Sequence, residues 1–127
     1  MTSIIQLRNA YQAGTLPKPY FLGAVYALTQ SLVEFQDALK GTQIREIIVG
    51  TDGLRIRTVD HDLELMLYPE EANSLGTGIL AFGDAERLER RALLAAAQQS
   101  RVILDIGANV GWYSLHFARV AGEARIY

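Results

Sequence analysis

RVILDIGANVGWYSLHFA, Arg101 to Ala118, passes from a strand-like run to a helix-like one across two glycines. Val102, Ile103 and Leu104 form a short apolar segment ending at Asp105, as expected of a buried parallel strand whose carboxyl end carries polar groups. Gly107 and Gly111 bracket Ala108, Asn109 and Val110, and from Trp112 to Val120 the apolar residues return at helical spacing. The unit is therefore strand, tight loop, helix: half of a βαβ unit. Gly107 lacks a Cβ, so it admits positive φ and close approach of a ligand, and Gly111 does the same where helix meets strand. Asn109 tolerates the left-handed region better than most side chains. In open α/β sheets ligands settle outside the carboxyl ends of strands, facing the free N–H groups of the next helix.

A nicotinamide-binding loop reads GxGxxG with its acid roughly 20 residues further on. Here the acid, Asp105, precedes the glycines, and the order is DxGxNxG. This order resembles the first motif of class I S-adenosylmethionine-dependent methyltransferases, and the fuller string DIGANVGWYSL is similar to the FkbM family within them. The resemblance covers Val102 to Ala118 and is weak elsewhere. It implies an α/β chain with a Rossmann-like, doubly wound cofactor domain and S-adenosylmethionine as cofactor. Asp105 would accept hydrogen bonds from the amino-acid end of that cofactor, Gly107 and Ala108 would bring the backbone close, Asn109 would shape the loop and Gly111 would start the helix. The implied reaction is methyl transfer to a hydroxyl oxygen of a small acceptor, a sugar or secondary metabolite, and no catalytic base is identifiable. The plainer alternative is that Asp105 caps the following helix and the glycines only make a turn.

The rest of the chain bounds these expectations. Of 127 residues half are apolar and 20% charged, with a formal charge of −2 and no cysteine. No Lys/Arg block marks a nucleic-acid surface, and disulfides and thiol-ligated metals are excluded. Tyr20 to Val33 is too short and too interrupted to span a membrane. MTSIIQLRNA lacks the pattern of a secretory signal, so a cytoplasmic protein is expected. The segment Ala124 to Tyr127 falls where a second parallel strand begins, so the sequence predicts the front part of a longer fold, or one completed by another chain.

Residues 1–43 form a helical segment. Ser3 is placed to cap a first helix that stops at Gly14, and Leu16, Pro17, Lys18 and Pro19 make a stiff linker. A second helix runs from Tyr20 to Lys40 with Phe21, Val25, Leu28, Leu32, Phe35 and Leu39 at alternating spacings of four and three. Such a seam packs a helix onto its own domain or joins two copies of the chain. That leaves a non-catalytic assembly module as the rival function.

Residues 44–83 form an antiparallel meander and a glycine-containing loop. Ile44 to Gly50, Leu54 to Val59 and Leu63 to Tyr68 alternate as strands, with turns at Asp52-Gly53 and at Asp60-His61-Asp62. Arg55, Arg57 and Glu64 fall on the water-facing side. Neighbours in an extended chain alternate sides and no further His or Cys cluster follows, so no metal is expected at Asp60, His61 and Asp62. NSLGTGILAFG, Asn73 to Gly83, reads as a flexible connector rather than a second ligand loop. Residues 84–127 begin the cofactor domain. Asp84 is placed to cap a helix reaching Gln99, Glu86 and Arg90 are placed to pair, and His116 is expected as a neutral imidazole on the helix surface or in its packing.

Overall fold

The computed structural model describes residues 3–68 and 70–127; Met1 and Thr2, at the head of the 1–43 segment, and Pro69 lie outside the described residues. The described residues form a mixed α/β structure of five helices, a three-stranded antiparallel sheet and a two-stranded parallel one. Two compact units divide between Lys40 and Gly41. Among the described residues no helix is long and apolar enough to cross a membrane.

The first unit is a pair of helices, α1 (Ile4–Gln12) and α2 (Lys18–Ala38). α1 begins with a reciprocal capping box: the Gln6 N–H donates to Ser3 Oγ, and the Ser3 N–H donates to Gln6 Oε1 at 2.8 Å. α2 starts two residues before Tyr20 because Pro17, with φ −62°, and Pro19 are both pre-set for a helix's first turn. Tyr11 stacks on Phe21 with ring centroids 4.9 Å apart. Neither helix contains a buried residue.

The second unit, Gly41–Tyr127, contains both the 44–83 and the 84–127 segments. Its meander pairs β1 (Ile44–Gly50), β2 (Gly53–Thr58) and β3 (Glu64–Leu67) in antiparallel order β1-β2-β3. Gly50 pairs with Gly53, so the first turn is the two residues Thr51 and Asp52, with Gly53 opening β2. Ile44, Ile56, Leu63, Leu65 and Leu67 are buried, and Arg55, Arg57, Glu46 and Glu64 form an ion-pair ladder on the other face. That is the alternation the sequence shows, fixed because a one-residue slip would turn every arginine inward.

Asn73 to Gly83 is not a flexible connector. Leu75–Phe82 is a helix, α3, begun by Ser74, whose Oγ accepts from the Thr77 N–H, and closed by Gly83 at φ +78°. Gly76 lies close against β3: a Cβ there would lie 2.6 Å from Leu67 Cδ2 and 3.3 Å from the Met66 carbonyl oxygen, so a larger residue would require Leu67 to shift. These glycines punctuate a helix because cap chemistry at both ends outweighs their poor helix propensity.

α4 (Arg87–Ala97) leads into β4 (Val102–Ile103), then α5 (Trp112–Val120) and β5 (Arg125–Ile126), which runs parallel to β4. The β4-α5-β5 order is a βαβ unit, separate from the meander. Ala97, Phe117 and Ala121 form its core with Leu94, Ile103, Val120 and Ile126 packed around them. Asp84 does not cap α4. The N-cap is Glu86 in left-handed conformation, and Asp84 lies outside the helix, where it meets Arg90.

Candidate functional site

The loop after β4 carries the backbone geometry its residues predict. Gly107, Asn109 and Gly111 all have positive φ, at +77°, +52° and +77°. The Gly111 N–H donates to the Ala108 carbonyl at 2.7 Å and closes the turn, and the Leu115 N–H reaches back to the Gly111 carbonyl to start α5. A Cβ at Gly107 or Gly111 would meet nothing within 4 Å. Gly111 is therefore required by its dihedral angle and not by close packing of helix on strand. The same openness leaves room beside the backbone at Gly107. Ala108 is half-buried in the loop, and Asn109 is exposed.

Asp105 sits at the carboxyl end of β4, its N–H donating to the Tyr127 carbonyl at 2.7 Å. Its Oδ2 accepts two bonds from the first turn of α5, from the Ser114 N–H at 3.1 Å and the Ser114 hydroxyl at 2.6 Å. This is the capping role that a carboxylate facing a helix N-terminus performs. Both bonds fall on Oδ2, and Oδ1 has no partner among the described residues. Ser114 thus acts through its hydroxyl on Asp105.

A cavity of about 320 Å³ opens next to this loop. Asn109 and Val110 form one wall, Leu115 of α5 another, the edge strand β3 with Glu64 and Met66 a third, and the start of α3 at Ser74 and Gly76 the last. Sequence patterning gave no signal for Glu64, Tyr68, Glu71 or Leu115 as lining residues, because elements far apart in sequence bring them together. The Asn73-Ser74 entry to α3 did carry a signal, in its glycines and polar residues. Trp112 and Tyr113 lie elsewhere: Trp112 is buried, and the Tyr113 hydroxyl donates to Glu86 at 2.5 Å. Burial and that bond push the Tyr113 phenol up to about 12.

A second polar cluster ties the meander's turn to α4 and α5. Arg90, 3% exposed, donates to Asp84 at 2.6 Å and lies 3.7 Å from Asp60, with its guanidinium 5.6 Å from the Trp112 ring centroid. The expected Glu86–Arg90 pair does not form: Arg90 turns inward to Asp84, and Glu86 meets Tyr113. Burial pushes the Asp84 carboxyl up, but the Arg90 and Ala85 hydrogen bonds outweigh it and hold the group below its usual range. Asp60, His61 and Asp62 point to different partners. Asp60 faces Arg90, Asp62 pairs with Arg45 at 2.8 Å, and His61 meets the buried His116. Among the described residues no group of three His, Cys, Asp or Glu side chains is placed to hold a metal.

Fold and loop together define an α/β unit with a glycine-containing loop at the carboxyl end of a parallel strand. No family model, curated protein or solved structure matches the chain.

Proposed function

We propose that this chain carries the cofactor-loop part of an S-adenosylmethionine-dependent methyltransferase of the FkbM kind, a cytoplasmic enzyme acting on a small-molecule hydroxyl. One observation carries the proposal: three left-handed residues, Gly107, Asn109 and Gly111, lie between an acid-ended parallel strand and the helix of a βαβ unit. The class I order DxGxNxG gives that geometry its chemical meaning. The loop residues fit the cofactor's amino-acid end. Open space beside Gly107 and Gly111 admits a ligand against the backbone. Asp105 can keep its bonds to Ser114 on Oδ2 and offer Oδ1 to an ammonium group. Asp105, Gly107, Ala108, Asn109 and Gly111 would hold the cofactor, whose sulfonium supplies the transferable methyl group. The protein's share is to place an acceptor hydroxyl in line and to exclude water.

Asp105→Asn tests this. An asparagine keeps an oxygen acceptor for Ser114 and removes the charge. Calorimetric titration with S-adenosylhomocysteine should show saturable binding that Asp105→Asn weakens roughly tenfold, as loss of a charge-assisted bond predicts. Equal affinity would reduce Asp105 to a helix cap, and no binding to the unmodified chain would end the proposal.

A second reading has its own observation. Tyr11 of α1 stacks on Phe21 at one end of the α2 seam, and further along it Leu32 and Phe35 are 60% and 40% exposed. Heptad-spaced apolar residues of this kind join helices of two copies. A non-catalytic assembly module would be a stable dimer or larger by light scattering and indifferent to S-adenosylhomocysteine; a monomer at high concentration would refute it.

A further inference from the structure

The cavity beside Asn109 differs from the meander's outer face in its charge. On the meander's outer face carboxylates are matched by guanidinium groups: Glu46 by Arg57, Asp52 by Arg55, Asp62 by Arg45. Glu64 lines the cavity, but its two oxygens are already held by Arg55 Nε at 3.1 Å and Arg57 Nη2 at 3.0 Å. Glu71 lines it as well and has no ion-pair partner among the described residues. No lysine, arginine or histidine is among the described lining residues.

The remaining lining chemistry narrows the ligand. Oxygen acceptors come from Asn73, Ser74 and Asn109, and an apolar wall from Met66, Val110 and Leu115. An anion entering here would meet an uncompensated carboxylate and no cation, which repels it; an ammonium group gains Glu71 and neighbouring oxygens. The volume suits a small molecule of one or two rings.

We infer that the cavity lined by Glu71, Asn73, Ser74 and Asn109 binds a small hydroxylated amine, its ammonium group directed to Glu71. The role of this amine as methyl acceptor rests on the methyltransferase reading of the adjoining loop. Its selection by charge rests on the lining residues alone.

The test uses the full 127-residue chain, labelled with nitrogen-15 and titrated with glucosamine, glucose and glucose 6-phosphate near neutral pH. These probes share one ring and differ in charge. Glucosamine should shift the amides of Ser74, Gly76, Asn109 and Val110 with an affinity roughly three- to fivefold above glucose, the size expected of one solvent-exposed ion pair. Glucose 6-phosphate should bind weakest, and Glu71→Gln should bring glucosamine down to glucose with the rest of the spectrum unchanged. Equal affinities, a preference for the phosphate, or no shift at these amides overturns the inference. S-adenosylhomocysteine separates the two proposals. If it binds through Asp105 while glucosamine leaves the cavity unmoved, the amine site falls and the methyltransferase stands. If glucosamine binds and S-adenosylhomocysteine does not, the reverse holds. Competition between the two would assign the cavity to the cofactor and overturn the amine site.

Discussion

Nδ1 of His61 and Nδ1 of His116 meet at 2.7 Å across 55 positions of sequence. One imidazole must donate and the other accept, so the bond exists only while a single proton lies between the two nitrogens. His61 sits in the meander's second turn at φ +62°, and His116 is 1% exposed on α5, its ring edge-on to Trp112. The contact joins the turn after β2 to the helix that follows the glycine loop.

This pair predicts an acid-sensitive fold. Burial first, then the charge of Arg90 and the neighbouring His61, lower His116 to about 4 from an ordinary 6.5, against opposing pulls from Asp60 and Asp84. The unfolded chain therefore binds the proton before the folded one does. The stabilisation is complete above pH 6.5, falls away as pH drops towards 4, and changes no further below it. Its full size is on the order of 3 kcal/mol. Urea unfolding between pH 7.5 and pH 4 should show this loss, and His116→Phe should flatten the slope in that window. An unchanged slope in the variant would mean that other groups carry the acid response.

Arg90 is the buried charge of this unit, and its removal should be costly. Arg90→Met leaves Asp84, itself mostly buried, without its guanidinium partner. Breaking a buried pair costs roughly 3–5 kcal/mol, and Asp84 should then titrate higher. Arg90→Lys restores the charge but not a planar fork spanning Asp84 and the Ala85 carbonyl. It should recover less than half the stability. Full recovery by lysine would show that charge alone matters. Urea midpoints for the three proteins decide between these outcomes.

The glycine loop makes a prediction about backbone alone. Gly107→Ala places a Cβ in open space, so any cost comes from φ +77° and not from a clash. The expected loss is about 1–2 kcal/mol. Asn109→Gly, at φ +52°, should stay within about 0.5 kcal/mol of the parent, since relief of strain offsets the added chain entropy. Thermal unfolding of both variants checks the pair. A neutral Gly107→Ala would refute the left-handed conformation assigned to that residue.

Local rules acting over a few residues were legible in the chain itself. Ser3 specified the N-cap of the first helix, alternation from Leu54 to Leu67 specified which face of the meander is buried, and Asp105 to Gly111 specified a left-handed loop between strand and helix. Backbone sterics and hydrogen-bond geometry decide such features within one turn or one strand. The helix from Leu75 to Phe82 was legible only in part. Its two glycines, with Gly83 just beyond its end, read as a loop until Gly76 is seen against Leu67, a contact that gives glycine at that position a packing reason.

Tertiary structure alone decided the rest. Arg90 had Glu86 four residues away and a helical spacing that favours pairing, yet it lies against Asp84, Asp60 and Trp112, because packing α4 beside α5 turns that face inward. His61 and His116 carried no shared motif, and the cavity's walls come from three separate stretches of chain. Sequence fixes the conformations each short segment prefers. Which segments meet depends on the burial of apolar surface spread over the whole unit, and no local pattern records those meetings.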